Sequence, residues 1–300
     1  VDDINFKFFH INKWDNGEFK GDAISTTSEL VKISSDGNLG LQEGQKFERG
    51  GIYRFTVDVT KGNTKAVLTV EKVGKVDLPA PDIFFGNDKM EVTDTDIYKS
   101  DQAFTQGQMI TVTGIDNLNE WWIDPDFFEK QSDGALKFLP INGDYRVTAN
   151  AVLKYFSVMA LKDGKPAKLQ DDGTGAIWAI GKGIGKPSVA SSEVGWEPGK
   201  ALCLAQVASK KYQLTLKAGE TLKTSGDPEV ISFKFFHQND WGGEFGNYAS
   251  SILVEQLKLT GSGNLEMQDN KAFEEGAVYR FTIDVTNGNA NADLKVEKIN

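Results

Sequence analysis

The 300-residue sequence predicts an all-β protein made of tandem immunoglobulin-like β-sandwich modules, and three observations carry that expectation. Apolar and polar residues alternate over short runs, turn residues punctuate the chain at intervals of about 8 to 12 residues, and one block of sequence occurs twice. No long stretch holds the 3.6-residue period of an amphipathic helix.

Alternation is clearest in Ile52-Tyr53-Arg54-Phe55-Thr56-Val57-Asp58-Val59, which reads as a strand with one face buried. Thr60-Lys61-Gly62-Asn63 then reads as a hairpin turn, and Val67-Leu68-Thr69-Val70-Glu71-Lys72 as the returning strand. The same hairpin recurs as Phe281 to Val285, Asn287-Gly288-Asn289, and Leu294 to Lys298.

The repeat extends well beyond that hairpin. Ile4-Asn5-Phe6-Lys7-Phe8-Phe9-His10-Ile11-Asn12-Lys13-Trp14 returns as Ile231-Ser232-Phe233-Lys234-Phe235-Phe236-His237-Gln238-Asn239-Asp240-Trp241, and both runs continue into Gly-Glu-Phe. Downstream, Asn38 to Val73 aligns with Asn264 to Ile299 at 20 of 36 positions. A self-match of this length marks a duplicated unit. A degenerate third copy is expected in the middle, where Gly143-Asp144-Tyr145-Arg146-Val147-Thr148 echoes the strand around Tyr279-Arg280-Phe281-Thr282. Met109 to Gly114, followed by Trp121-Trp122, would there replace the Phe-Lys-Phe-Phe strand.

Composition shifts at Val76-Asp77-Leu78-Pro79-Ala80-Pro81 and at Lys162-Asp163-Gly164-Lys165-Pro166 place linkers between three modules, 1–75, 76–165 and 166–300. The last is longest because it carries a front half, from Ala176-Ile177-Trp178 through Gly195-Trp196 to Tyr212-Gln213-Leu214-Thr215-Leu216, that the first does not show. Either the first copy is a truncated sandwich or the sequence starts inside a larger module.

Composition excludes several function classes. With 33 basic and 43 acidic residues the net charge is -10, which repels a phosphate backbone and removes nucleic acid as an expected partner. No apolar run approaches the roughly 18 residues of a membrane-spanning helix. A single cysteine, Cys203 in Ala-Leu-Cys-Leu-Ala, excludes an internal disulfide and reads as a buried apolar residue. The two histidines, His10 and His237, have no second His or Cys nearby, so neither a metal site nor any cofactor is expected. The chain begins at Val1 without a charged n-region or apolar h-region, so its compartment is not readable from its first residues.

Enzyme chemistry would then rest on carboxylates. Asp124 and Asp126 form a pair, but Asp-Pro-Asp is common turn chemistry, and glycoside hydrolysis needs two carboxylates facing each other across a groove. Gly181-Lys182-Gly183-Ile184-Gly185-Lys186-Pro187 looks like a phosphate cradle yet lacks the Gly-Lys-Ser/Thr ending, and reads as a loop. The expectation is a protein that is not an enzyme.

The residues that do point to a site are aromatic. A strand over Ile231 to Phe236 sends Lys234 to the face opposite Phe233 and Phe235. Trp241 follows in a polar, Gly-rich loop, and Trp196 lies in a second Gly-rich turn, both poor places to bury an indole. Indoles stack on the C–H face of a sugar ring while Lys, Asn and carboxylates bond its hydroxyls. Trp196, Lys234, His237, Asn239 and Trp241 therefore form the candidate glycan-binding set. Lys7 and Trp14, their counterparts in the first copy, and the pair Trp121-Trp122 are further candidates.

Ile177-Trp178-Ala179-Ile180-Gly181, Gly195-Trp196, Tyr212 to Gly219, Phe233-Lys234-Phe235 and Trp241, in that order, resemble the SusE/SusF type of surface glycan-binding lipoprotein from Bacteroidetes polysaccharide-uptake loci. The resemblance implies strings of immunoglobulin-like sandwiches, lipid-anchored on the outer face of the outer membrane, that capture oligo- or polysaccharide beside the glycan-uptake machinery. It places the family's loop tryptophan on Trp196, its strand cation on Lys234 and its second aromatic on Trp241. The alternative from another class is a structural or adhesive multi-sandwich protein that presents the same aromatic loops to another protein.

Overall fold

The computed structural model describes residues 4–12, 17–48, 50–76, 80–224 and 230–300. They form two compact units, Val1–Ala80 and Pro81–Asn300. Strand dominates both, with one four-residue α-helix, Val189–Ser192, and three single-turn 3-10 helices among the described residues. The chain is all-β, as its alternation predicts.

In the N-terminal unit the expected hairpin forms between Gly51–Asp58 and Ala66–Lys75, and Ile24–Thr26 adds to the second strand in parallel. A short hairpin, Val31–Ile33 with Leu39–Leu41, lies beside Phe6, which bridges to Leu39. Period-2 alternation sends Phe19, Ile24, Val31, Leu39, Ala66 and Leu68 into one small core.

The C-terminal unit has a continuous core running from Ile83 to Val296. Its first part carries an antiparallel sheet in the order Lys165–Pro166, Tyr155–Lys162, Gly143–Asn150, Ile97–Phe104, Glu91–Asp94. Tyr145 locks the central strand by donating its hydroxyl hydrogen to the Ile141 carbonyl at 2.9 Å. The N-terminal unit uses a related bond, in which the Tyr53 hydroxyl accepts from the Glu48 amide at 3.0 Å. In both, glycine two residues upstream leaves room for the ring: a Cβ on Gly51 would stand 2.6 Å from Tyr53, and one on Gly143 3.3 Å from Tyr145.

Residues beyond Lys168 form a sandwich of two sheets. One runs Glu193–Gly195, Trp178–Gly185, Ser232–Phe236, Leu265–Met267, Leu257–Leu259; the other runs Ala205–Ala208, Lys211–Lys217, Val278–Asp284, Asp293–Lys298, Ser250–Ile252. Phe233 and Phe235 meet Phe281 across the sandwich, with ring centroids 5.5 and 6.4 Å apart.

Two stretches differ from their sequence reading. Lys162 to Pro166 is a hairpin turn, with Asp163 and Gly164 at φ 51° and 71°, rather than an extended linker. Tight turns and linkers draw on the same polar, Gly-rich composition, so composition alone does not separate them. Gly181 to Gly185 belongs to the strand Trp178–Gly185, paired with Glu193–Gly195 through an irregular register, and is not a loop. Its glycines serve close packing: a Cβ on Gly181 would lie 2.3 Å from the Phe233 Cα, and one on Gly185 2.3 Å from the Ser192 carbonyl oxygen.

Candidate functional site

The site is built on the edge of the sandwich where Glu193–Gly195, Trp178–Gly185 and Ser232–Phe236 lie side by side. Gly195, opposite Gly181 in that ladder, takes φ 58°, and the chain turns out of the sheet at Trp196. On the far side of the central strand, Lys234 pairs with Ile180. Sheet order thus holds the backbones that carry Trp196 and Lys234 two strands, or about 10 Å, apart.

The strand ending at Phe236 folds back through a loop closed by Gly242 and Gly243, at φ 82° and 70°. The His237 amide donates to the Gly243 carbonyl at 2.7 Å, and Phe236 bridges to Glu244. Within the loop, the Gln238 side-chain amide donates to the Trp241 carbonyl at 2.6 Å and the Trp241 amide to an Asp240 carboxylate oxygen at 2.7 Å. These bonds fix Trp241, whose indole stands over the edge of the Phe236 ring at 5.9 Å. Trp241 lies beside Trp196, with centroids 6.3 Å apart and planes 25° from parallel. Trp241 remains 49% exposed, so the two indoles form an aromatic shelf open to solvent.

The other sequence candidates fall in different surroundings. Lys234 is half-buried, with no hydrogen-bond or ion-pair partner among the described residues; Ser232, two residues before it on the same strand, pairs with Glu266. His237 turns inward: its ring meets Phe245 edge-on at 4.2 Å, and Phe245 stacks on Tyr248 at 5.7 Å. Its Nε2 is enclosed without a hydrogen-bond partner among the described residues, and burial, opposed by Asp171, lowers its pKa from 6.5. Asn239 is half-buried, with an enclosed Oδ1 that also has no partner among the described residues.

In the first copy, Lys7 donates to the Asp36 carbonyl at 2.8 Å, and His10 sits edge-on to Phe19 at 5.4 Å, repeating the contact of His237 with Phe245. Trp14 lies outside the described residues. Trp121 is a core residue, stacked on Phe156 at 4.6 Å. Trp122 donates its indole N–H to Glu220 at 2.8 Å. Burial pushes the Cys203 thiol up to about 12, so it remains protonated. Among the described residues, no three His, Cys, Asp or Glu side chains are gathered to hold a metal ion.

One polar cluster is not expected from the sequence. Asp124 and Asp126 are buried, and the Lys186 ammonium lies between them, 2.8 Å from both Asp124 oxygens and 3.0 Å from Asp126. Asp126 also accepts from the Thr215 amide and hydroxyl, each at 2.6 Å, and from Gln213 at 2.7 Å. Burial works to raise the Asp126 carboxyl, but Lys186, Gln213 and Thr215 outweigh it and hold the group below the usual carboxylate range. Asp124 lacks that hydroxyl and amide set, and burial dominates there and raises its pKa. The cluster ties the Asp-Pro-Asp turn to the C-terminal sandwich. Asp124 and Lys186 also line a cavity of about 380 Å³ with Tyr155, Ser157 and Trp178.

With this geometry in place, the sequence pattern described as Domain of unknown function (DUF5121) matches residues 1–60 and 172–286, together more than half of the chain. The chain belongs to the DUF5121 family. A second pattern, Domain of unknown function (DUF5125), matches residues 77–169. Among curated proteins no match is found. The aromatic shelf lies within the second DUF5121 stretch, and the Asp124–Lys186–Asp126 cluster joins that stretch to the DUF5125 segment.

Proposed function

We propose that this DUF5121 protein is a non-catalytic cell-surface binder of oligo- or polysaccharide. In this reading Trp196 and Trp241 stack on sugar rings, and Lys234, with the polar groups of the Gln238–Asp240 loop, bonds their hydroxyls. The observation that carries it is the shelf itself: two indoles from separate loops, nearly parallel, with one of them half exposed. A lone exposed tryptophan needs no explanation, but a pair held by a hydrogen-bonded loop over a buried phenylalanine is a preorganised platform. Lys234 suits the role because no carboxylate among the described residues engages it. The SusE/SusF resemblance supplies the setting: a lipid-anchored protein on the outer face of the outer membrane that hands glycan to uptake machinery.

Two stacked rings at about 1 to 2 kcal/mol each supply about 2 to 4 kcal/mol, which alone corresponds to dissociation constants of about millimolar or weaker, and the hydrogen bonds to the sugar hydroxyls add to it. Titration of soluble glycans against intrinsic tryptophan fluorescence tests the reading. A saturable shift with at least one glycan class, lost in Trp241→Ala, supports it. Silence across a broad glycan panel, together with a shift on adding a protein partner, would assign the shelf to protein binding.

A further inference from the structure

The two copies of the repeat have the same strands but not the same cover. In the C-terminal copy, Val278–Asp284 pairs with Asp293–Lys298 on one edge and with Lys211–Lys217 on the other. Among the described residues, its N-terminal counterpart, Gly51–Asp58, pairs with Ala66–Lys75 alone and ends its sheet. The difference recurs in the facing layer: Phe233 pairs with Leu265 and with the Trp178–Gly185 strand, whereas among the described residues Phe6 bridges only to Leu39.

Exposure follows this loss on one side. Val59 is 49% exposed where its counterpart Val285 is 0%, and Phe6 is 38% exposed where Phe233 is 0%. Tyr53, Phe55 and Val57 are half-buried, whereas Tyr279, Phe281 and Ile283 are buried. On the opposite side the copies agree: Val31, Leu39, Ala66 and Leu68 are as buried as Leu257, Leu265, Ala292 and Leu294. The residues that close the C-terminal copy are Tyr212, Leu214 and Leu216, alternating along Lys211–Lys217 and fully buried.

We propose that the free edge of Gly51–Asp58 is a docking site for an extended segment of a partner polypeptide, added as an antiparallel strand with large apolar side chains at three alternate positions. The C-terminal copy also defines the polar positions. Lys211 pairs with Asp284 at 3.2 Å, and Asp58 stands in the place of Asp284, so the donor carries a cation just before its first apolar residue. Thr215 faces Arg280, and Arg54 occupies that position here, so the donor carries an uncharged residue there. An unpaired edge with apolar side chains beside it accepts such a strand because main-chain bonds supply affinity and the alternate pockets supply specificity.

The test uses the full chain and a synthetic peptide with the sequence of residues 209–219, read by amide hydrogen exchange. Exchange across Ile52–Asp58 is expected to slow at least about tenfold, while a peptide with Ser at the three apolar positions has no effect. A second protein, carrying the peptide sequence ahead of Val1 on a flexible linker, raises its effective concentration to about millimolar. Unchanged exchange in that fusion, or equal protection by the Ser peptide, would overturn the proposal. A self-associated chain that the peptide fails to dissociate, with Ile52–Asp58 already protected, would assign the edge to a second copy and also overturn it.

Discussion

Trp196 and Trp241, 45 positions apart in sequence, meet with ring centroids 6.3 Å apart and planes 25° from parallel. Residues that act through one surface are coupled, so their substitutions are not additive. For a glycan that binds the shelf, Trp196→Ala and Trp241→Ala are each expected to weaken binding about tenfold or more, and the double variant by less than the product. A double-mutant cycle by calorimetry checks this, and strict additivity would show that the two indoles work separately.

The buried cluster predicts unequal carboxylates. Lys186→Met leaves two buried carboxylates without their cation and is expected to cost about 3 to 5 kcal/mol. Asp126→Ala strands the Thr215 and Gln213 donors as well as Lys186 and falls in the same range of about 3 to 5 kcal/mol. Asp124→Asn removes the charge that burial disfavours and is expected to cost less than about 1 kcal/mol. Denaturant unfolding of the three variants measures the order.

His237 predicts a loss of stability in mild acid. Its folded pKa is lowered below 6.5, so between the two values the unfolded chain binds more protons than the folded one. The contribution is complete above about pH 6.5 and declines as pH falls toward the folded value. Unfolding midpoints from pH 7.5 to 5 should fall for the wild type and fall less for His237→Gln. Parallel curves would remove His237 as the cause.

Gly181→Ala is expected to destabilise the C-terminal unit without touching the shelf directly, because its Cβ meets the Phe233 backbone at 2.3 Å, a clash that no side-chain rotation relieves. Gly199→Ala, whose Cβ meets nothing within 4 Å, is the matched control. Thermal unfolding of the pair checks it: a large drop for the first and little change for the second.

What the sequence reveals depends on how local the cause is. The hairpin of Gly51–Asp58 with Ala66–Lys75 is legible because alternation and turn residues lie within one short window. Trp196 and Trp241 are legible because their glycine-rich neighbours exclude them from strand interiors. The inward turn of His237 is not, since it depends on Phe245 returning through the Gly242–Gly243 loop. The Asp124–Lys186–Asp126 cluster is hidden for a similar reason: Lys186 stands 62 positions from Asp124, at the end of a glycine-rich run that a composition reading takes for a loop. Pairing of charges across such a distance leaves no periodic trace in the sequence.

Affinity electrophoresis of the wild type, Trp196→Ala and Trp241→Ala in gels cast with different polysaccharides tests the central claim most directly. The wild type is expected to be retarded by at least one polymer, and both variants to regain the mobility seen without it. Retardation that persists in both variants would place the glycan elsewhere on the molecule, and no retardation of the wild type in any gel would contradict glycan binding.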